Sequence, residues 1–69
     1  MLGISGQQWR DRAESCRKRA APYRSVIERA ERPGGRGSYP GWVEVKAILL
    51  EMIEDFEHEA AEADRAAET

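Results

Sequence analysis

Cys16 and His58 are the two side chains of this sequence best suited to nucleophilic or metal chemistry, and each residue type occurs once. A reactive thiol needs exposure and a lowered pKa, and nearby arginines would lower it. Cys16, however, falls on the apolar side of a predicted helix, where a cysteine behaves as a small hydrophobic residue. We predict a structural role for Cys16. No nucleophile–base pair with His58 is expected, because the two residues fall on different helical faces.

His58 is preceded by Asp55 at three residues and flanked by Glu54 and Glu62 at four residues. The Asp55-x-x-His58 spacing is that of carboxylate–histidine metal ligands in helical bundles, whose side chains point into the bundle. His58 lies nearly opposite the apolar side that contains Phe56. The sequence therefore predicts a solvated histidine, no metal or cofactor, and no catalytic residue. A hairpin with one short loop also offers no deep pocket, so we expect no enzymatic activity.

Residues 33–41 form the only glycine- and proline-rich segment, with four glycines and two prolines in nine residues. The segment lacks the Gly-Lys-Ser/Thr ending and the preceding strand of a phosphate-binding loop, so it is predicted to be a turn. Arg36, Tyr39 and Trp42 combine charge with aromatic surface, and we take them as candidate contacts for a partner. The alternative for the aromatic residues is local packing, since Trp42 also opens the apolar side of the second helix.

The arginine-rich first half leaves open a nucleic-acid-binding alternative. Its candidate residues would be Arg10, Arg12, Arg17, Arg19, Arg24 and Arg36. The sequence pI of 5.4 and the lack of a DNA-reading motif speak against it. Residues 1–36 carry nine basic and four acidic groups, and residues 37–69 carry two and nine. The simplest interpretation of this asymmetry is mutual attraction between the two halves of the chain.

Two helices are predicted. Helix 1, about residues 6–32, begins with a Ser5/Gln8 capping box, and Ile4 and Trp9 suit a hydrophobic staple. Its apolar positions recur at alternating steps of four and three, and Pro22 predicts a kink. If Pro22 splits the helix, a three-helix monomer is the alternative fold.

Helix 2, about residues 41–66, is rich in good helix formers. Its apolar arc between Trp42 and Phe56 exceeds half of the circumference, which is more than one partner helix covers. The residues expected to mediate self-association are Val43, Ala47, Ile48, Leu50 and Ile53.

These elements predict one all-α domain over residues 1–69, an antiparallel helical hairpin that dimerises into a four-helix bundle. Residues 1–4 would be a lead-in, 33–40 the loop and 67–69 a frayed tail. We expect facing residues to have numbers that sum to 72, so that Cys16 faces Phe56, Tyr23 faces Leu49 and Arg17 lies opposite Asp55.

The predicted function is a cytoplasmic, non-catalytic protein–protein interaction module that acts as an adaptor, inhibitor or assembly factor. A single cysteine and the lack of a signal sequence or membrane span favour the cytoplasm. Nine arginines against two lysines, with ten alanines, suggest a bacterial or phage genome, and a small phage or bacterial protein that blocks another protein fits this size. The expected partners are a second copy and an unidentified protein.

Overall fold

The computed structural model describes residues 5–35, 37 and 39–68. In these residues two helices, α1 (Gly6–Glu31) and α2 (Trp42–Glu68), pack against each other as a hairpin. The all-α class and the hairpin are therefore confirmed. The molecule is elongated, with extents of 54 × 17 × 14 Å. The expected lead-in at residues 1–4, together with Arg36, Ser38 and Thr69, lies outside the described residues.

The start of α1 is the predicted capping box. Ser5 has an extended backbone, and its Oγ accepts a hydrogen bond from the Gln8 backbone N–H at 3.2 Å. The Ser5 backbone N–H donates in return to Gln8 Oε1 at 2.8 Å. Two N–H groups that the first turn leaves without helical partners are thus satisfied locally. The hydrophobic staple cannot be described because Ile4 lies outside the described residues.

Pro22 lies inside α1, which continues without a break to Glu31. The three-helix alternative is therefore wrong for the described residues. Pro22 removes one backbone donor, but the apolar positions before and after it keep the same phase, so both halves pack on α2 as one helix. Arg32 adopts φ −72° and ψ 154°, the extended geometry favoured before Pro33, and this ends α1.

The loop folds back onto the last turn of α1. The Gly35 N–H donates to the Arg32 carbonyl at 2.8 Å, and the Gly37 N–H donates to the Ala30 carbonyl at 2.6 Å. A Cβ on Gly35 would lie 2.6 Å from the Ala30 carbonyl oxygen, which is too close for any side chain. The glycine run is thus required for the close approach that caps the C-terminal end of α1.

The core consists mostly of small side chains. Ala13 and Cys16 of α1 cluster with Ala60 and Ala63 of α2, and Trp9 packs against this cluster. Small residues let the two helix backbones approach closely at the open end of the hairpin. Larger buried side chains, Trp42 and Ile53, lie in the half of the hairpin next to the loop.

The pairing of long side chains differs from the expected one. The Phe56 ring stacks on Tyr23, with centroids 6.0 Å apart and an interplanar angle of 13°, while the Cys16 thiol lies 3.7 Å from Glu59 Oε2. Arg17 pairs with Asp64. Arg17 therefore pairs with Asp64 and not with Asp55, and the Tyr23 ring makes its aromatic contact with Phe56.

The backbone register nevertheless stays close to the expected one. A Cβ on Gly6 would lie 3.5 Å from the backbone oxygen of Ala67, so these two residues lie side by side across the hairpin. Because the helices are antiparallel, residues whose numbers sum to about 73 therefore lie at the same level along the hairpin axis. Side chains on a helix lean toward its N-terminus. Because antiparallel helices run in opposite directions, the side chains of α1 and α2 lean in opposite directions along the common axis. A long side chain therefore meets a residue whose backbone lies one or two turns away from its own level. The prediction paired backbone heights and ignored this lean.

Candidate interaction surfaces

Two apolar surfaces remain exposed, one on each side of the contact between the helices. The first, which we call the loop-end groove, is an open cavity of about 500 Å³ with a mostly apolar lining. Its walls are two loop glycines and the side chains of Val26, Arg29, Ala30, Tyr39, Trp42 and Val45. Val26 of α1 is 47% exposed at this surface. Both helices and the loop therefore contribute to one concave apolar surface.

Ile48 stands at the edge of the loop-end groove and is 58% exposed. It follows Val45 by three residues, so the two side chains project about 60° apart around α2. More than half of Ile48 is thus left uncovered by the hairpin. Ile48 therefore extends the groove outward along α2.

The second surface, which we call the outer strip, consists of Val43, Ala47 and Leu50, all exposed. Val43 is the most exposed large apolar residue of the described chain, at 77%. It projects about 140° away from Ile48 around α2, so the outer strip lies on the other side of the hairpin. Ile53 is only 6% exposed and lies between the helices, so within the hairpin it is already covered. Of the five residues expected to mediate self-association, four are exposed, and they divide between two surfaces.

Trp42 is a packing residue within the hairpin, with 7% exposure. Its Nε1–H donates to Glu31 Oε2 at 3.4 Å, and Lys46 Nζ donates to the same oxygen at 2.6 Å. The hydrogen bond from Lys46, followed by the one from Trp42, lowers the pKa of the Glu31 carboxyl despite some opposing desolvation. This three-residue contact fixes the start of α2 against the end of α1.

Tyr39 keeps nearly half of its surface exposed, and its ring lies 6.4 Å from that of Trp42 at 47°. The aromatic pair therefore has one buried and one accessible member. Of the three candidate contact residues in the turn, Tyr39 presents the more accessible aromatic surface at the groove, Trp42 forms part of its wall, and Arg36 lies outside the described residues.

Cys16 is 4% exposed. Burial, followed by the negative charge and hydrogen-bond acceptance of Glu59, raises the pKa of the thiol above its usual 9.0, and Arg19 and Arg12 oppose this only in part. A buried thiol with a raised pKa is a poor nucleophile at neutral pH. The geometry therefore supports the structural role predicted for Cys16.

His58 lies on the outside of α2, with its Nε2 3.0 Å from Glu62 Oε1 and a side chain that is 71% exposed. It does not share a surface with the buried Cys16. Among the described residues, no group of three or more His, Cys, Asp or Glu side chains could hold a metal ion. Asp55 and Glu54 are likewise exposed.

The arginines proposed for nucleic-acid binding are largely engaged with α2. Arg12 lies 3.7 Å from Glu59, Arg17 pairs with Asp64, and Arg24 pairs with Glu57. These are half-exposed pairs, each worth about 0–1 kcal/mol. Arg10 and Arg19 are exposed on α1, and Arg36 lies outside the described residues. The basic and acidic halves of the chain thus meet in one hairpin, as the charge asymmetry indicated.

The groove residues Val26 and Arg29 had not been singled out from the sequence. Val26 lies one position off the apolar repeat of α1, next to Ile27, which faces α2 and is half-buried. A second apolar residue beside the repeat was the available signal. Only the fold, which brings Val26 to the same groove as Val45 and Tyr39, reveals its position.

Neither described helix is long and apolar enough to cross a membrane. Comparison of the chain with protein-family models, curated proteins and solved structures gives no match. The function must therefore be argued from the surfaces of this hairpin.

Proposed function

We propose that this protein is a non-catalytic helical interaction module that self-associates into a four-helix bundle and occupies a surface of another protein, as an adaptor, inhibitor or assembly factor. The observation that carries the proposal is apolar surface on both sides of a two-helix hairpin, with Val43 at 77% and Ile48 at 58% exposure. Contiguous apolar surface on a small protein commonly marks an interaction site.

The thin core of the hairpin supports the same proposal. The described residues fully bury no large side chain, and the buried set is dominated by alanines. A single core in a chain of fewer than about 70–80 residues supplies only about 3–5 kcal/mol of stability. Association that covers apolar side chains would add stability by mass action, since it stabilises only the folded state.

A non-catalytic role is supported by the placement of the two most reactive side chain types. Cys16 is buried with its pKa raised, whereas His58 is exposed beside Glu62. General acid–base or nucleophilic chemistry needs such groups within hydrogen-bond reach of each other at an accessible site.

Light scattering of the purified protein at micromolar concentration tests the self-association. The expected mass is twice 7.8 kDa, falling toward 7.8 kDa on dilution. A well-folded monomer over the whole concentration range would contradict self-association and leave only a role with a different protein. Affinity purification from the native host then tests for that second partner, with a variant carrying Leu50→Glu on the outer strip as the control for apolar binding.

Nucleic-acid binding is the alternative, and the ion pairs of Arg12, Arg17 and Arg24 weigh against it. A salt titration separates the two proposals, because phosphate-driven affinity falls steeply with the logarithm of salt concentration. We expect no DNA or RNA binding at low salt. Binding that weakens with salt and is lost in Arg19→Ala would favour the alternative.

A further inference from the structure

We propose that a second copy of this chain docks on the loop-end groove, in a face-to-face dimer with both loops at the same end and α1 of each copy lying over α2 of the other. This inference rests on the self-association proposed above. It goes further in assigning the groove to the second copy.

The exposed area of the hairpin matches what such a dimer needs. The chain exposes 5432 Å², whereas a compact folded monomer of 7.8 kDa exposes about 4400 Å². The excess is about 1000 Å² per copy, and a standard stable interface buries about 800 Å² per partner. One face of the hairpin is therefore enough to supply a dimer interface.

The groove side is the better of the two faces for this contact. Four of the six large exposed apolar residues, Val26, Tyr39, Val45 and Ile48, lie on or beside the groove, and both helices contribute to it. The outer strip contains three exposed apolar residues, Val43, Ala47 and Leu50. The smaller cavity of about 360 Å³ beside Leu50 is lined by the half-buried Ile27, the buried Ile53 and charged side chains of both helices. A groove with a protruding Ile48 at its edge is also self-complementary, as a two-fold interface requires, since each Ile48 can enter the groove of the other copy.

Two stripes of residues face outward on the groove side. On α1 the stripe is Arg12, Arg19 and Val26, spaced by seven residues, and on α2 it is Ile48, Asp55 and Glu62 at the same spacing. Members of each stripe project within about 40° of one another. Each stripe is thus apolar near the loop and charged farther away, basic on α1 and acidic on α2.

This charge pattern selects one of two possible dimers. A two-fold axis parallel to the helices places α1 over the partner's α2, basic over acidic, and brings the two apolar ends together. A two-fold axis perpendicular to the helices, in the plane of the interface, places α1 over the partner's α1 and puts the loops at opposite ends. In the second dimer Arg19 would lie against the partner's Arg19 and Asp55 against the partner's Asp55. The apolar residues near one loop would also lie against the charged end of the other copy, so both the charges and the apolar contacts disfavour this arrangement.

The axis parallel to the helices also determines the residue pairs. Rotation about this axis leaves every residue at its own height, so the register within one hairpin applies between the copies as well. Residues whose numbers sum to about 73 then lie at the same position along the dimer axis. Val26 then lies within one residue of the level of the partner's Ile48. Arg12 and Arg19 lie over the acidic part of the partner's α2, where the lean of long side chains brings Arg19 toward the partner's Glu62, as it brings Arg17 to Asp64 within one hairpin. Apolar residues thus meet near the loops and opposite charges meet farther along the helices, and this complementarity carries the proposal.

The first test compares substitutions on the two faces. Ile48→Glu should weaken dimerisation about 100-fold, since the dimer loses two apolar contacts worth about tenfold each. Val43→Glu, on the outer strip, should leave the dimer unchanged although Val43 is more exposed. Both residues are on the surface, and circular dichroism checks that each variant folds. Loss of the dimer in Val43→Glu, or its persistence in Ile48→Glu, would overturn the assignment of the groove while leaving self-association standing.

The second test identifies the register by disulfide formation in a Cys16→Ala background. A mixture of Val26→Cys and Ile48→Cys chains should form the mixed disulfide under mild oxidation, faster than either variant alone forms one with itself. A dimer that yields no mixed disulfide, or that cross-links Ile48→Cys to itself more readily, would overturn the arrangement. A wild-type protein that is monomeric by light scattering would overturn both this inference and the self-association on which it rests.

Discussion

Replacement of Ile53 by alanine is the sharpest test of how this hairpin holds together. Ile53 is 6% exposed and is one of two large apolar side chains buried between the described helices. Removal of a buried isoleucine side chain to alanine costs about 2–5 kcal/mol, because the transfer free energy is lost and a cavity remains. The whole core of so short a chain supplies only about 3–5 kcal/mol.

We therefore expect Ile53→Ala to lose most of its free energy of unfolding. A loss of about 3 kcal/mol corresponds to a fall in Tm of about 12–24 °C in a domain of this size. The assay is thermal and urea unfolding followed by circular dichroism, at two protein concentrations tenfold apart, so that association and folding are separated.

Val43→Ala is the matched control, because it removes aliphatic surface from the same helix at a site that is 77% exposed. It should change the free energy of unfolding by no more than about 0.5 kcal/mol. Equal losses in the two variants would refute the reasoning, since Ile53 would then contribute no more to the core than a solvent-exposed residue does.

Three further predictions follow from the loop and from Cys16. Gly35→Ala should lower the free energy of unfolding by at least about 1 kcal/mol in urea, because its Cβ would clash with backbone carbonyls of α1. An unchanged free energy of unfolding would mean that the loop does not cap α1 as described. Since the pKa of the Cys16 thiol is raised in the folded state, its contribution to stability is complete below about pH 9 and is lost as the pH rises through the folded-state pKa. Stability should therefore fall more steeply above pH 9 in the wild type than in Cys16→Ala, and parallel pH profiles would contradict the raised pKa. Ala60→Cys should form a disulfide with Cys16 within one chain more readily than Phe56→Cys does, because Ala60 packs in the same cluster as Cys16 whereas Phe56 stacks on Tyr23. Electrophoretic mobility under non-reducing conditions measures this. Faster disulfide formation by Phe56→Cys would favour the pairing of Cys16 with Phe56 expected from the sequence.

Local sequence signals determined the elements of this protein. The Ser5/Gln8 capping box, the apolar repeat of α1, the Arg32–Pro33 step and the glycine run each act over a few residues, so the start of α1 and the ends of both helices near the loop could be predicted within one or two positions. The two-helix hairpin follows from these signals, because one short loop leaves the helices no other neighbour within the chain. The continuation of α1 through Pro22 was also indicated, because the apolar positions keep their phase across the proline and packing on both sides outweighs the lost hydrogen bond.

Only the tertiary structure decided which side chains meet and which surfaces stay open. The stacking of Phe56 on Tyr23 depends on the lean of side chains along antiparallel axes, which residue numbers alone do not encode. The apolar arc of α2 was visible in the sequence, but its division into a groove with Val45 and Ile48 and an outer strip with Val43 depends on where α1 lies across it. Val26 likewise lines the groove because of how α1 packs across α2. The physical cause is that burial is a property of two packed surfaces, whereas a sequence pattern describes one helix at a time.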